Sequence, residues 1–523
     1  MAIDTIADII RAHAAGRPDG LAIVLGEGRL TYGELDERSS RLANALAAGG
    51  VTAQDRIAYL DKNSPEYFEL TFAAAKLNAV NCAVNWRLAP PEAAFIVNDA
   101  EATVLLIGAE SLPLLEAMRP ELTTVKQVVV IGGGDSPAGY ESYERWIGAH
   151  PATDPAVPSK ADDVALQFYS SGTTGRPKGV MLTNANCFSN VRTNNDTLAF
   201  GPTSVNQVVM PTFHVAGGLW GLLGLYNGVP NVMMRDVDPA QVVRDITAYG
   251  ITHTVLVPAV IQFLLMLPET KEADFSTLEL IVYGASPISQ EVLTNAIRTF
   301  GCHFIQAYGM TETAGGCVLL PPDDHDPDGP NAHRLRAAGK PIPGAEVKVV
   351  DAATLEEVPT GTVGEILVRS AQNMKGYWRM PEATAETILP DGFLRTGDAG
   401  YLDADGYVYI HDRVKDMIIS GGENIYPAEV ENALMSHPGI ADVAVIGVPS
   451  EKWGETPKAV VVRAPDTDLD ADGIIAFARA RLAGYKCPTT VDFVEALPRN
   501  PSGKVLKKEL RAPYWEGRQR NVN

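Results

Sequence analysis

The segment Tyr169-Ser170-Ser171-Gly172-Thr173-Thr174-Gly175-Arg176-Pro177-Lys178-Gly179 crowds glycines, hydroxyls and two cations into one short stretch. Such a loop can hold an anion: glycine lets backbone N–H groups converge, hydroxyls donate, and the cations neutralise charge. An apolar run, Val164 to Phe168, reads as a strand feeding it. It is not a Walker loop, because Pro177 stands where the second glycine of that motif is required. Composition alone also allows a flexible surface loop. Two threonines, an arginine and a lysine together point instead to phosphate binding.

Further chemistry-bearing segments follow in order: Gly284-Ala285-Ser286-Pro287, Tyr308-Gly309-Met310-Thr311-Glu312-Thr313 and Phe393-Leu394-Arg395-Thr396-Gly397-Asp398. Asp412-Arg413-Val414-Lys415-Asp416 and Arg499-Asn500-Pro501-Ser502-Gly503-Lys504 complete the series. Each has a plain structural reading when taken alone. Asp398 could form a turn, Glu312 could sit at a helix start, Arg413 could belong to a surface ion pair, and an isolated lysine is normally solvated. Taken together and in this order, they closely resemble the nucleotide motifs of the adenylating superfamily. That superfamily includes acyl- and aryl-CoA synthetases, peptide-synthetase adenylation domains and firefly luciferase.

The resemblance implies an ATP-dependent enzyme that converts a carboxylic acid to an acyl-AMP and passes the acyl group to a thiol, that of coenzyme A. Adenylation forces two anions together, so the protein must neutralise charge and align the reactants. By resemblance, Thr173, Thr174 and Lys178 hold the β- and γ-phosphates, and Gly284, Ala285 and Ser286 form the adenine-contacting turn. Tyr308 offers adenine an aromatic face, Thr311 touches the α-phosphate, and Glu312 binds Mg²⁺. Carboxylate and phosphate oxygens suit that ion. Asp398 accepts from the ribose hydroxyls, Arg413 donates to the ribose and nearby oxygens, and Lys504 stabilises charge at the attacking carboxylate and α-phosphate.

The second half reaction is implied by Ile419-Ser420-Gly421-Gly422-Glu423-Asn424-Ile425. In CoA-forming members the small domain rotates about a hinge, here Lys415, and brings this turn to the active site. Gly421 and Gly422 would leave room for the pantetheine arm, where a Cβ would intrude. His214 would line the acyl channel near the thiol, and Lys458, Arg481 and Lys486 are candidates for the CoA phosphates. The acyl pocket would draw on Val215, Ala216, Trp220, Ile281, Ala307, Ala314, Gly315 and Gly316. These are apolar or small, and no Asp or Lys is present to meet a charged substrate group. An amino acid is therefore disfavoured. A medium or long fatty acid, or another apolar acid, is the expected substrate, with a benzoate- or phenylpropanoid-type acid as the alternative.

Rival readings can be weighed. A carrier-protein thiol could replace CoA, although no carrier domain follows in the chain. A non-catalytic AMP sensor is disfavoured by Lys504, Glu312 and Asp398. A hydrolase lacks its nucleophile elbow, since Gly284-Ala285-Ser286-Pro287-Ile288 ends in isoleucine.

Elements to position these residues are legible. Thr31-Tyr32-Gly33-Glu34 is a capping box opening a helix with Leu35, Leu42, Ala43 and Leu46 on one face, ended at Gly49-Gly50. Ser64-Pro65 opens another, with Ser64 as N-cap. Apolar runs at Arg56 to Leu60, Thr103 to Ile107, Gln127 to Ile131 and Thr252 to Val257 alternate with helices, which implies α/β architecture with largely parallel sheets. With the resemblance, the expected fold is a large N-terminal domain of two α/β subdomains plus a barrel-like segment, residues 1–411. A hinge at 412–415 and a small mobile α+β domain, 416–523, would follow. In the small domain, Pro427 starts a helix, Val443 to Val448 and Ala459 to Val462 are strands, and a helix runs from about Asp472 to Leu482.

The formal net charge of −21 argues against nucleic acid or an anionic membrane as partner. Cys82, Cys187, Cys302, Cys317 and Cys487 form no CxxC pattern, so reduced thiols in a cytoplasmic protein are expected, with no zinc site. Asp4 and Asp8 are wrong for a signal peptide. The most apolar stretch, Val215 to Tyr226, is too short for the ~20 residues of a membrane span and is broken by glycines. A homodimer is left open.

Overall fold

The computed structural model describes residues 3–132, 140–170, 177–413, 416–420, 423–465, 467–499 and 505–516, with only the backbone at Asn194, Asp196, Asp412, Arg413, Glu423 and Asn424. Two large sheets dominate. One has eight strands, built mainly from residues 56 to 183, with a core of parallel pairs such as Arg56–Leu60 beside Val80–Ala83 and Val104–Gly108. The other has nine strands, with a parallel centre running through Asn206–Val208, His253–Leu256, Leu280–Gly284 and His303–Met310. Two α/β units are what the resemblance implied, and their parallel centres are what the alternation of strands and helices implied.

A third, antiparallel sheet has four strands, Glu346–Val350, Gly364–Arg369, Leu394–Leu402 and Val408–Arg413. It touches the nine-stranded sheet through the bridge between Gly339 and Val408. A five-stranded sheet begins at Ile418–Ser420 and carries the long hairpin Ile440–Ser450 with Gly454–Arg463. The expected downstream helices lie at Pro427–Met435 and Ala471–Arg479.

Local signals explain most boundaries. Thr31 Oγ1 accepts from the Glu34 N–H at 3.2 Å while Glu34 accepts from the Thr31 N–H at 2.8 Å, and the helix runs Tyr32–Ala48. Leu35, Leu42, Ala43 and Leu46 are fully buried, as their shared face requires. Ser64 takes the N-cap position and Pro65 the first helical position, as expected, but the Ser64 hydroxyl makes no capping bond and meets the Tyr59 hydroxyl at 2.8 Å instead.

The apolar run is the helix Val215–Asn227, buried between neighbours. A Cβ at Gly221 would lie 2.2 Å from Phe68 Cζ, and one at Gly224 would lie 2.1 Å from Asn231 Oδ1. The glycines thus serve close packing. Among the described residues, no helix is long and apolar enough to cross a membrane.

Candidate active site

Strands from the two large sheets end at one place. Ser170 is the last residue of Val164–Ser170 in the eight-stranded sheet, and Glu312 lies two residues past the end of His303–Met310 in the nine-stranded sheet. Ser170 Oγ donates to Glu312 Oε1 at 3.0 Å and joins the two ends. Ligands of open α/β sheets bind at such carboxyl ends.

Glu312 lies in the short turn Thr311–Thr313 and is only 5% exposed. Tyr377 also donates its hydroxyl to Oε1, at 3.0 Å. Among the described residues both partners of this carboxylate are neutral hydroxyls, and no cation pairs with it. Burying a carboxylate without a counter-charge is costly. The site therefore suits a bound cation, and its oxygen donors suit Mg²⁺. Lys178 opens the strand Lys178–Thr183, opposite Ser170 in register, with Nζ 4.7 Å from the centre of the Tyr377 ring.

The turn geometry is tight. Ala314 has φ +50° and Gly315 φ +105°. A Cβ at Gly309 would come 1.8 Å from the Gly315 carbonyl oxygen. Two residues before Met310, the Tyr308 hydroxyl donates to Asp398 Oδ2 at 2.8 Å, and burial beside Asp398 pushes the phenol well above its usual range. Asp398 sits in Leu394–Leu402 directly across from Arg413 in Val408–Arg413. Tyr308, Asp398 and Arg413, distant in sequence, thus converge. The Gly284-Ala285-Ser286 turn leaves the strand Leu280–Gly284, with Ala285 at φ +65°. Gly284 pairs with Ala307, and a Cβ there would meet the Ala307 oxygen at 2.1 Å. Thr173, Thr174, Lys415, Gly421, Gly422 and Lys504 lie outside the described residues, as does the Arg413 side chain.

His214 precedes the helix Val215–Asn227, and its carbonyl accepts the first helical N–H groups, those of Gly217 and Gly218. Its Nε2 is buried without a hydrogen-bond partner among the described residues. Burial, with Arg87 nearby, pushes the imidazole down to about 4. It is neutral at pH 7.

The candidates for the acyl pocket divide between two packed cores, with Ala216 against the one that contains Ile281 and Val215 against the one that contains Trp220. Val215, Ala216, Ala307 and Gly315 are half-buried. Ala307 lies against the core that contains Trp220, Val282 and Ala314. Ile281 does not share this face: it packs with Leu264, Leu293 and Phe300 on the opposite side of the sheet. Strand side chains alternate, so Val282, not Ile281, projects on the same side as Gly284. Ala314 is fully buried, and Trp220 is held by its indole N–H bond to the Gln207 oxygen at 3.0 Å. The three cations suggested for CoA phosphates are engaged internally. Lys458 pairs with Asp492 at 2.6 Å, Lys486 with Glu429 at 2.7 Å, and Arg481 lies 3.5 Å from the Phe477 ring centre.

Sequence reasoning missed Tyr377, Ser170 as a partner of Glu312, and Arg56. The guanidinium of Arg56 stacks 3.4 Å from the Trp378 ring centre, and the Trp378 indole donates to the Asp99 oxygen at 2.8 Å. The only available signal was the Gly376-Tyr377-Trp378 run, which nothing in sequence spacing ties to Glu312.

The chain matches the AMP-binding enzyme family over residues 10–378, and the AMP-binding enzyme C-terminal domain over 429–504. It belongs to the AMP-binding enzyme family, in the acyl-CoA synthetase branch of the adenylate-forming superfamily. It is 40% identical to a fatty acid–acyl-carrier-protein ligase, ScoC, of Streptomyces coeruleorubidus, with 100% of this chain and 98% of the relative covered. It is 39% identical to a feruloyl-CoA synthase of an Amycolatopsis species, covering 95% and 96%. Among solved structures, ATP-bound MatB from Rhodopseudomonas palustris superposes with TM-score 0.87 at 32% identity, covering 97% of this chain and 99% of that one.

Proposed function

We propose that this enzyme activates an apolar carboxylic acid with ATP, releases pyrophosphate, and transfers the acyl group from acyl-AMP to the thiol of coenzyme A. The carrying observation is the meeting of Ser170, Lys178, Glu312 and Tyr377 at the ends of two sheets, beside the linked pair Tyr308 and Asp398. Lys178 would face the phosphates with Thr173 and Thr174, and Thr311 would reach the α-phosphate. Asp398 and Arg413 would take the ribose, and the Gly284-Ala285-Ser286 turn with the Tyr308 ring the adenine. Glu312 would hold Mg²⁺, which supplies charge neutralisation at the phosphates when bound. Lys504 would add positive charge where the attacking carboxylate meets the α-phosphorus.

A neutral His214 lets an uncharged acyl chain or ring pass without desolvating a cation. Residues 412–415 are read as the hinge between a domain of residues 1–411 and one of 416–523. Rotation there would exchange Lys504 for Gly421 and Gly422. The five free cysteines, four of them buried, fit a cytoplasmic setting.

A second reading, an acyl-carrier-protein thiol as acceptor, is favoured by the 40% identity to ScoC. Pyrophosphate release measured with acids of graded chain length, aryl acids and amino acids tests the substrate class. Amino acids releasing it faster than apolar acids would overturn the reading. Comparing acyl transfer to free CoA with transfer to phosphopantetheinylated carrier protein decides the acceptor, and a faster carrier reaction would displace CoA.

A further inference from the structure

Two opposite charges contact one tyrosine in this site, one at its ring and one at its hydroxyl. Glu312 touches the Tyr377 hydroxyl at 3.0 Å, and Lys178 Nζ lies 4.7 Å from the centre of the same ring. Yet among the described residues Glu312 and Lys178 form no ion pair with each other or with any other charged group. We infer that Tyr377 is a positioning residue that keeps Lys178 and Glu312 from pairing, so that the cation stays available to phosphate and the carboxylate to metal.

The chemistry of the contacts carries this. Hydroxyl donors orient a carboxylate without cancelling its charge, whereas a guanidinium or ammonium would cancel it. Ser170 and Tyr377 both donate to Oε1 of Glu312, leaving Oε2 without a partner among the described residues. An aromatic face likewise attracts an ammonium without supplying a formal negative charge. A direct Lys178–Glu312 pair would have to be broken before ATP could bind.

Tyr377 is well placed to resist that collapse, being 7% exposed. Its strand, Gly376–Tyr377, runs antiparallel to the strand of Lys178, with Tyr377 opposite Val180. Its N–H donates to Thr384 Oγ1 at 2.9 Å, and the Trp378 N–H donates to the Gly179 oxygen at 2.7 Å. Arg56 stacked on Trp378 then braces the next residue.

The inference rests on the proposed binding of metal by Glu312, and three variants of the full chain separate the two. Binding of Mn²⁺ in the presence of ATP is followed by electron paramagnetic resonance, and binding of ATP in EDTA by calorimetry. Tyr377→Phe keeps the ring but loses the hydroxyl. It should weaken Mn²⁺ binding about tenfold, the usual cost of removing a partner of a metal ligand, and leave metal-free ATP binding unchanged. Tyr377→Leu, checked for an unchanged melting temperature or replaced by Tyr377→Met if it melts early, should also weaken metal-free ATP binding. Unchanged Mn²⁺ binding in Tyr377→Phe, or identical behaviour of the Phe and aliphatic variants, overturns the inference. Glu312→Gln is the control. If it binds Mn²⁺ as tightly as the parent, the metal assignment itself fails and takes this inference with it.

Discussion

His214 carries a buried Nε2 with no hydrogen-bond partner among the described residues, and burial beside Arg87 pushes its imidazole down to about 4. In the unfolded chain an imidazole titrates near 6.5. Between these values the unfolded state binds the extra proton, so the associated stability is full above about pH 6.5 and is lost as pH falls towards 4. At pH 5 the loss should reach about 2 kcal/mol. Replacing His214 by Phe removes that slope. Thermal melts of both proteins at pH 7 and pH 5 check it: the parent should lose more on acidification, and equal losses would refute the assigned cause. At this scale the sequence was informative only where residues cluster into motifs. Glu312 and Asp398 were legible because their neighbours are distinctive. Tyr377 was not, because its partners Glu312 and Lys178 come from distant parts of the chain.

Among elements, helix starts and strands were read closely because their signals are local. The capping box at Thr31 and the apolar run Gln127–Ile131 appear where their residues place them. What local pattern missed was which side chains meet between elements. Glu69, on the helix Pro65–Lys76, is 1% exposed and accepts from the Arg38 Nε at 2.7 Å, while the Tyr143 hydroxyl also donates to it. Arg38 bonds Glu144 as well, so this cluster ties the helices Tyr32–Ala48, Pro65–Lys76 and Tyr143–Gly148. Burial still pushes the Glu69 carboxyl up to about 7. Arg38→Ala should therefore cost about 3 kcal/mol, as expected when one partner of a buried ion pair is removed. Urea unfolding measures it, and a change below about 1 kcal/mol would show the pair behaving as a surface bridge.

At the scale of the whole molecule, the two half reactions should separate by mutation, because different parts of residues 416–523 would serve each. Lys504→Ala should abolish acid-dependent pyrophosphate release yet still convert supplied acyl-AMP with CoA. A normal adenylation rate in that variant would remove Lys504 from its role. Gly422→Leu should suppress thioester formation and leave pyrophosphate release largely intact, because a side chain there would fill the proposed pantetheine path. Equal loss of both activities would rule out the exchange of conformations.

By itself the sequence determined the family, the order of the nucleotide motifs and the α/β alternation, because each is written in contiguous residues or in short-range periodicity. The proposal of an apolar substrate also comes from the sequence, through the absence of Asp and Lys among the pocket candidates. The tertiary structure alone decided that Ile281 and Val282 pack into different cores, since the phase of a strand relative to the sheet depends on what covers each face. It alone brought Ser170 and Tyr377 to Glu312 and Lys178 to the Tyr377 ring, because strands from separate sheets had to be brought end to end. Local chain chemistry selects the elements; burial and charge pairing across long sequence separations select which residues meet.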